Sequence, residues 1–208
     1  MQKKKILFMV AGVIGLIAIG IITYALTQQP DGSPNITTGK QTKGSSSADV
    51  YKKFSFAPLS GVSYVVTTTA ADGSVSTTET DKNGNSRSTH TINGKKSTTI
   101  AIGDTVYECT DDKDCKTVDS ALTPEQLKEI QDMDDRVNAK LEENAKFVGK
   151  VSCPGGTCAE WKVEGADTVA GVYTFFENGR IYKIVTDGKY GSTQVYEYKD
   201  VSVKAPSV

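Results

Sequence analysis

Four turn signals follow one another at ten- or eleven-residue spacing: Asp72-Gly73, Asn83-Gly84, Asn93-Gly94 and Gly103-Asp104. Each sits between strand-like runs and reads as a two-residue hairpin loop. A chain punctuated in this way can only run back and forth as an antiparallel meander. The strands between the turns, GVSYVVTTT, SVSTTETD and NSRSTHTI, are rich in Ser and Thr. Thr suits a pleated surface but buries little, so one face of this meander is expected in water. STTIAIGDTVYEC is a firmer hairpin, with Ala101 opposite Val106 and Ile100 opposite Tyr107.

One helix interrupts the strands. In LTPEQLKEIQDMDDRVNAKLEE, Thr123 reads as N-cap, Pro124 as first helical residue and Gln126 as the partner three residues on. That is a capping box, and Leu122 with Leu127 completes a hydrophobic staple. Leu127, Ile130, Val137 and Leu141 form an apolar stripe with Met133 at its margin, while Lys128, Asp132, Asp135 and Glu142 face away. Such a helix packs on a sheet. Its acidic polar side does not suit anionic lipid. Residues 48–55 are read as a short second helix.

Strands then resume, and YTFFENGRIYKIVT carries the clearest hairpin. A type I′ turn at Asn178-Gly179 would place Phe176 opposite Ile181, Phe175 opposite Tyr182 and Tyr173 opposite Ile184. One face then holds Tyr173, Phe175, Tyr182 and Ile184, and the other Val172, Phe176, Ile181 and Val185. Both are apolar and both need cover. Tyr196 and Tyr198 add aromatics on the last strand.

The N-terminus fixes the compartment. Residues 6–26 carry no charge, Lys3, Lys4 and Lys5 precede them, and no Lys or Arg follows until Lys40. About 20 apolar residues cross a bilayer as a helix. The charge asymmetry puts residues 1–5 in the cytoplasm and the remainder outside. A cleaved signal peptide is the alternative, with a shorter apolar core and small residues before the cut. Thr23 and Ala25 give that pattern only weakly. Residues 27–47, Gly-, Ser-, Thr- and Pro-rich, read as a flexible linker. Asn35-Ile36-Thr37 is a glycosylation sequon by pattern, without consequence in the bacterial envelope that this N-terminus suggests. The domain proper is 48–208.

Outside the cytoplasm, cysteines pair. Cys109 and Cys115 bracket one turn-rich loop, Cys153 and Cys158 another, so local pairing is expected, each in a hairpin. With Cys109 opposite Cys115, Tyr107 faces Thr117 and Val106 faces Val118. A ring this small constrains the unfolded chain by about 2.4 kcal/mol. A zinc site usually has two to four residues between paired thiolates; five intervene between Cys109 and Cys115, and the expected compartment is oxidising, so metal is not expected.

Little else carries chemistry. His90, alone of its kind, lies in a polar strand and reads as a surface residue. Asp111, Asp112 and Asp114 cluster without the Gly and terminal Glu of a calcium loop. No nucleophile elbow, phosphate loop or zinc-protease motif occurs. The chain reads as a non-enzyme without cofactor or metal. Its 24 basic and 25 acidic residues form no basic stripe, so nucleic acid is not an implied partner.

Three stretches carry a resemblance. GDTVYECTDDKDCK, YTFFENGRIYKIVT and YEYKDVSVKAP resemble strand-and-turn motifs of the LolA-like, or lipoprotein-carrier-like, superfamily, which includes mycobacterial-type lipid-binding lipoproteins. The resemblance covers most of residues 48–206. It implies an α+β fold: a curved, incompletely closed antiparallel β-sheet (half-barrel) with one main amphipathic helix on its concave face. The N-terminal transmembrane helix adds to this. It also implies an apolar cavity between helix and sheet for an acyl chain or lipidated protein. The candidate lining is Tyr173, Phe175, Tyr182, Ile184, Tyr196 and Tyr198, with Leu127, Ile130, Val137 and Leu141. The expected function is a membrane-tethered, extracytoplasmic binding protein for a lipid or other apolar ligand, single-pass with its N-terminus cytoplasmic. The alternative is an envelope interaction or sensor protein with a solid core, which uses the Thr-rich hairpins of residues 60–98 and takes no small ligand.

Overall fold

The computed structural model describes residues 50–92, 95–111, 114–118, 124–165 and 169–206. The expected span 6–26, the linker 27–47, the sequon, the turn Asn93-Gly94 and the cap residues Leu122 and Thr123 lie outside them. So do the side chains of Leu127 and Ile130.

The first meander holds β1 (Tyr64–Ala70), β2 (Val75–Thr80), β3 (Ser86–Ile92), β4 (Lys95–Ile102), β5 (Thr105–Thr110) and β6 (Asp114–Val118). Helix α1 (Pro124–Asn144) follows. The second meander holds β7 (Ala145–Cys153), β8 (Gly156–Val163), β9 (Gly171–Phe176), β10 (Ile181–Thr186) and β11 (Ser192–Glu197). All eleven strands form one sheet in the order β6-β5-β4-β3-β2-β1-β11-β10-β9-β8-β7. The two meanders join where β11 pairs antiparallel with β1, from Val65 opposite Glu197 to Ala70 opposite Ser192. Among the described residues the free edges are β6 and β7, and α1 lies between them in the chain. The outermost hairpins, β5–β6 and β7–β8, each hold a disulfide. Cys109 is bonded to Cys115 and Cys153 to Cys158. Cys109 faces Cys115, Tyr107 faces Thr117 and Val106 faces Val118, as expected.

This corrects the expected fold class. The described chain is mainly a large open antiparallel sheet with a single helix, not an α+β fold organised by a main amphipathic helix. Of the expected helix stripe, Leu141 is buried and Val137 half-buried, while Met133 is 38% exposed. No second helix forms near residue 50, where Val50–Lys52 make a turn. Among the described residues no helix is long and apolar enough to cross a membrane. The physical reason is that each strand finds its partner through a short turn and the last strand closes on the first. Apolar burial is then completed largely by irregular segments at the two ends of the domain.

The turns explain a second correction. At Asp72-Gly73, Asn83-Gly84 and Asn178-Gly179 the loops are three residues long, not two. In each, the Gly amide closes a turn: Gly73 to the Ala70 carbonyl, Gly84 to Asp81 and Gly179 to Phe176. Ala70, Asp81 and Phe176 in turn donate their amides to Ser74, Asn85 and Arg180. Positive φ falls on the glycines alone, at 82°, 83° and 79°. That is a type I turn followed by a glycine bulge, whereas type I′ needs positive φ at both central residues. Gly103-Asp104 keeps its two-residue loop, with Ile102 opposite Thr105 and φ 53° at Gly103.

At the third loop the shorter register is offset by a bulge between Ile181 and Lys183. Ile181 therefore faces Phe175, and Tyr173 still faces Ile184. Tyr182 moves to the opposite face, where its ring lies tilted against Phe176 at 5.2 Å. The expected pairs Phe175–Tyr182 and Phe176–Ile181 do not form.

The register puts Val66, Tyr196, Ile184, Tyr173 and Trp161 on one face. On that face Phe54 sits edge-on to Trp161, Tyr173 and Phe175, with ring centroids 5.9, 5.5 and 5.3 Å away. Val50 is pinned alongside, its carbonyl accepting the Trp161 Nε1–H at 3.1 Å. Leu141 packs into the same cluster. On the other face, after β11, Val201 and Val203 pack on Ile100, Cys109 and Tyr107. Each terminal segment thus covers a different half of the sheet on a different face.

Phe54 is 3% exposed, and large-to-small changes at such positions cost about 3–5 kcal/mol. Phe54→Ala should lower the unfolding free energy by that amount in urea titration. Phe56→Ala, at a ring 37% exposed, should cost less than half as much.

Candidate functional site

The candidate lining divides. Tyr173 and Phe175 are buried, and Leu141 joins them; Val137, Ile184 and Tyr196 pack against that cluster. Phe54 fills the space above Tyr173 and Phe175, so these rings form a packed core at that point. Tyr182 and Tyr198 gather instead around Phe176, at 5.2 and 6.1 Å. Leu127 and Ile130 fall among the undescribed side chains.

Next to this cluster lies a pair that sequence reasoning missed. Tyr64 on β1 directly faces Thr80 on β2, and both are buried, at 0% and 1% exposure. Among the described residues neither the Tyr64 hydroxyl nor Thr80 Oγ1 has a hydrogen-bond partner. The neighbouring tyrosines are satisfied. Tyr173 donates to the Val169 carbonyl at 2.7 Å, Tyr198 to the Ile181 carbonyl at 2.9 Å and Tyr196 to Gln194 Oε1 at 3.3 Å. Tyr64 lies 6.2 Å from the Tyr196 ring and 6.3 Å from that of Tyr198. Burial raises its pKa, and the Thr80 hydroxyl tempers that rise without reaching bonding geometry. A buried hydroxyl left unpaired costs about 1–3 kcal/mol. The Tyr196 and Tyr198 rings border the pair on the Tyr64 side and Ser86 lies across from Thr80 on the other, so this pair can accept or donate one polar contact at the margin of the aromatic cluster. The signal in the sequence was faint: a Tyr opening an apolar run and one Thr among many.

Elsewhere, a depression of about 460 Å³ opens over β4–β6, lined by Ser97, Glu108, Thr110, Asp114, Lys116 and the Cys109–Cys115 bond. Its rim mixes both charge signs. Asp111 beside it accepts the Lys96 amide at 3.3 Å, and Asp112 lies outside the described residues. Among the described residues no group of three or more His, Cys, Asp or Glu is placed to hold a metal. His90 is half-buried between Ser76 and Ser97, and burial lowers its pKa.

No protein-family model matches the chain, and no curated protein matches it. A solved structure, an uncharacterized conserved protein from Thermus thermophilus, is similar with a TM-score of 0.41 and 8% identity, over 68% of this chain and 82% of that one. A likeness of that size carries no argument about fold or function.

The tyrosines give a testable pH limit. Burial pushes the Tyr173 phenol up to about 12 and raises those of Tyr196 and Tyr198 as well. The fold therefore accepts these phenols neutral. Their contribution to stability is complete below pH 10, the ordinary tyrosine value, and is lost as pH rises through the raised values. Ultraviolet difference titration should find that these three, of nine tyrosines, ionise only together with alkaline unfolding.

Proposed function

We propose that this chain is a binding module, not an enzyme, for an apolar ligand that carries one polar group. A lipid or acyl chain fits that description. The LolA-like resemblance belongs to this proposal, as does an extracytoplasmic domain held at the membrane by residues 6–26. The observation that carries the reading is the Tyr64–Thr80 pair. Two buried hydroxyls without partners among the described residues face each other at the margin of the aromatic cluster. A ligand carbonyl or hydroxyl bound there would remove a cost of about 1–3 kcal/mol per group. The two disulfides suit an oxidising compartment.

A second reading is an envelope interaction protein with a solid core. Phe54, packed on Tyr173 and Phe175, favours it, because this ring occupies the space above the lining expected from sequence.

The two readings separate on one preparation. The full chain is purified from native membranes, extracted with organic solvent and examined by mass spectrometry, beside Tyr64→Phe and Thr80→Val. The ligand reading expects a stoichiometric apolar species with the unaltered chain and a loss of at least about tenfold with Tyr64→Phe, the effect of about 1.4 kcal/mol. No extractable species, together with a Tyr64→Phe variant more stable than its parent, would establish the solid core.

A further inference from the structure

We infer that the β7 edge around Phe147 and Val148 lies against the bilayer that holds the chain's own N-terminal segment. The inference rests on reading residues 6–26 as a membrane span. Its geometric basis is separate. Val50, where the described chain begins, is fixed beside β7 and β8 by the Trp161 hydrogen bond. Next to it, the Tyr51 ring meets Phe147 edge-on at 6.2 Å, and the Lys150 ammonium lies 4.5 Å over the Tyr51 ring. Phe147 is 41% exposed and Val148 56%. Aromatic rings, an aliphatic side chain and lysines on apolar stems are the residues that settle at a membrane interface.

A peptide strand fits this edge poorly. The ladder with β8 shifts between Phe147 and Gly149, which leaves Val148 in a bulge, and Lys146 and Lys150 flank it. Bulges and lysines are the means by which edge strands refuse another strand. A bilayer surface asks for no register. Phe147 and Val148 can enter it while the unpaired backbone of the edge stays at the hydrated headgroups. Part of the local positive charge is already committed. Lys146 pairs with Glu164 at 2.8 Å, Lys53 with Glu142 at 3.6 Å, and Glu177 accepts the Tyr51 hydroxyl. Apolar contact therefore leads, and charge assists through Lys150. Residues 27–47, read as a flexible linker, reach roughly 25 Å, which keeps this edge within range of the membrane.

The test uses the full chain in phosphatidylcholine vesicles with a minor share of phosphatidylglycerol, brominated on the acyl chains. Phe147→Trp reports the edge. Val75→Trp, at a site 47% exposed and six strand spacings away, about 29 Å, reports the far side. Val148→Trp is a second reporter, should the Phe147 exchange disturb Trp161. Docking predicts that the protein floats with the vesicles and that Phe147→Trp emission shifts to the blue and is quenched, while Val75→Trp keeps its wavelength and intensity. Flotation with no difference between the reporters overturns the docking and leaves the anchor standing. Failure to float removes the anchor, and the inference with it.

Discussion

The pairing of β1 with β11 joins two meanders that share no other strand pairing among the described residues. Val65–Ala70 and Ser192–Glu197 lie more than a hundred residues apart in the chain. Closing a loop of that length costs about 4 kcal/mol in chain entropy. Six paired positions offset this, helped by the packing of Tyr64 against Tyr196 and of Val66 beside them. Everything specific to the fold follows from that seam. It places β6 and β7 at opposite edges, and it puts the Tyr64–Thr80 pair next to the aromatic cluster of the second meander.

Cover for the sheet comes from unexpected places. Val50 and Phe54 close one face over β8 and β9, and Val201 and Val203 close the other over β4 and β5. Each segment is irregular and short, and contributes through a few well-seated side chains. A Phe side chain fully buried gains about 1.5–3 kcal/mol from transfer alone, and edge-to-face aromatic contacts add to it. The helix contributes Leu141 and Val137 to the same cluster, so it seals the margin of a core that Phe54 centres.

Much of the first meander was legible. Asp-Gly and Asn-Gly located the hairpins, and the β4–β5 and β5–β6 registers followed residue by residue. Loop length was not legible, because Gly after Asp or Asn serves a type I turn with a bulge as well as a type I′ turn. Asp81 decides the matter locally by accepting the amides of Asn83 and Asn85 at 2.8 and 3.1 Å. The same ambiguity at Asn178-Gly179 moved Tyr182 to the wrong face in the sequence reading, although Tyr173 and Ile184 were matched correctly beyond the bulge. The site was less legible still. Tyr64 and Thr80 become notable only when a seam between distant strands buries them, and no local pattern announces that. Phe54 and Val203 gave no periodic signal because they sit in segments without regular structure.

The two disulfides close rings within hairpins, at sequence separations of 6 and 5, whereas every mispairing would join cysteines some forty residues apart. Chance encounter falls roughly as the three-halves power of separation, so correct partners meet about twenty times more often than wrong ones. Chain statistics alone therefore favour the native bonds from the outset. Oxidation can also precede the slow β1–β11 closure, leaving the two outer hairpins preformed while the middle of the sheet still searches for its seam. An emerging chain then carries its most exposed strands already locked in local partnership, which shields them from neighbouring chains during maturation.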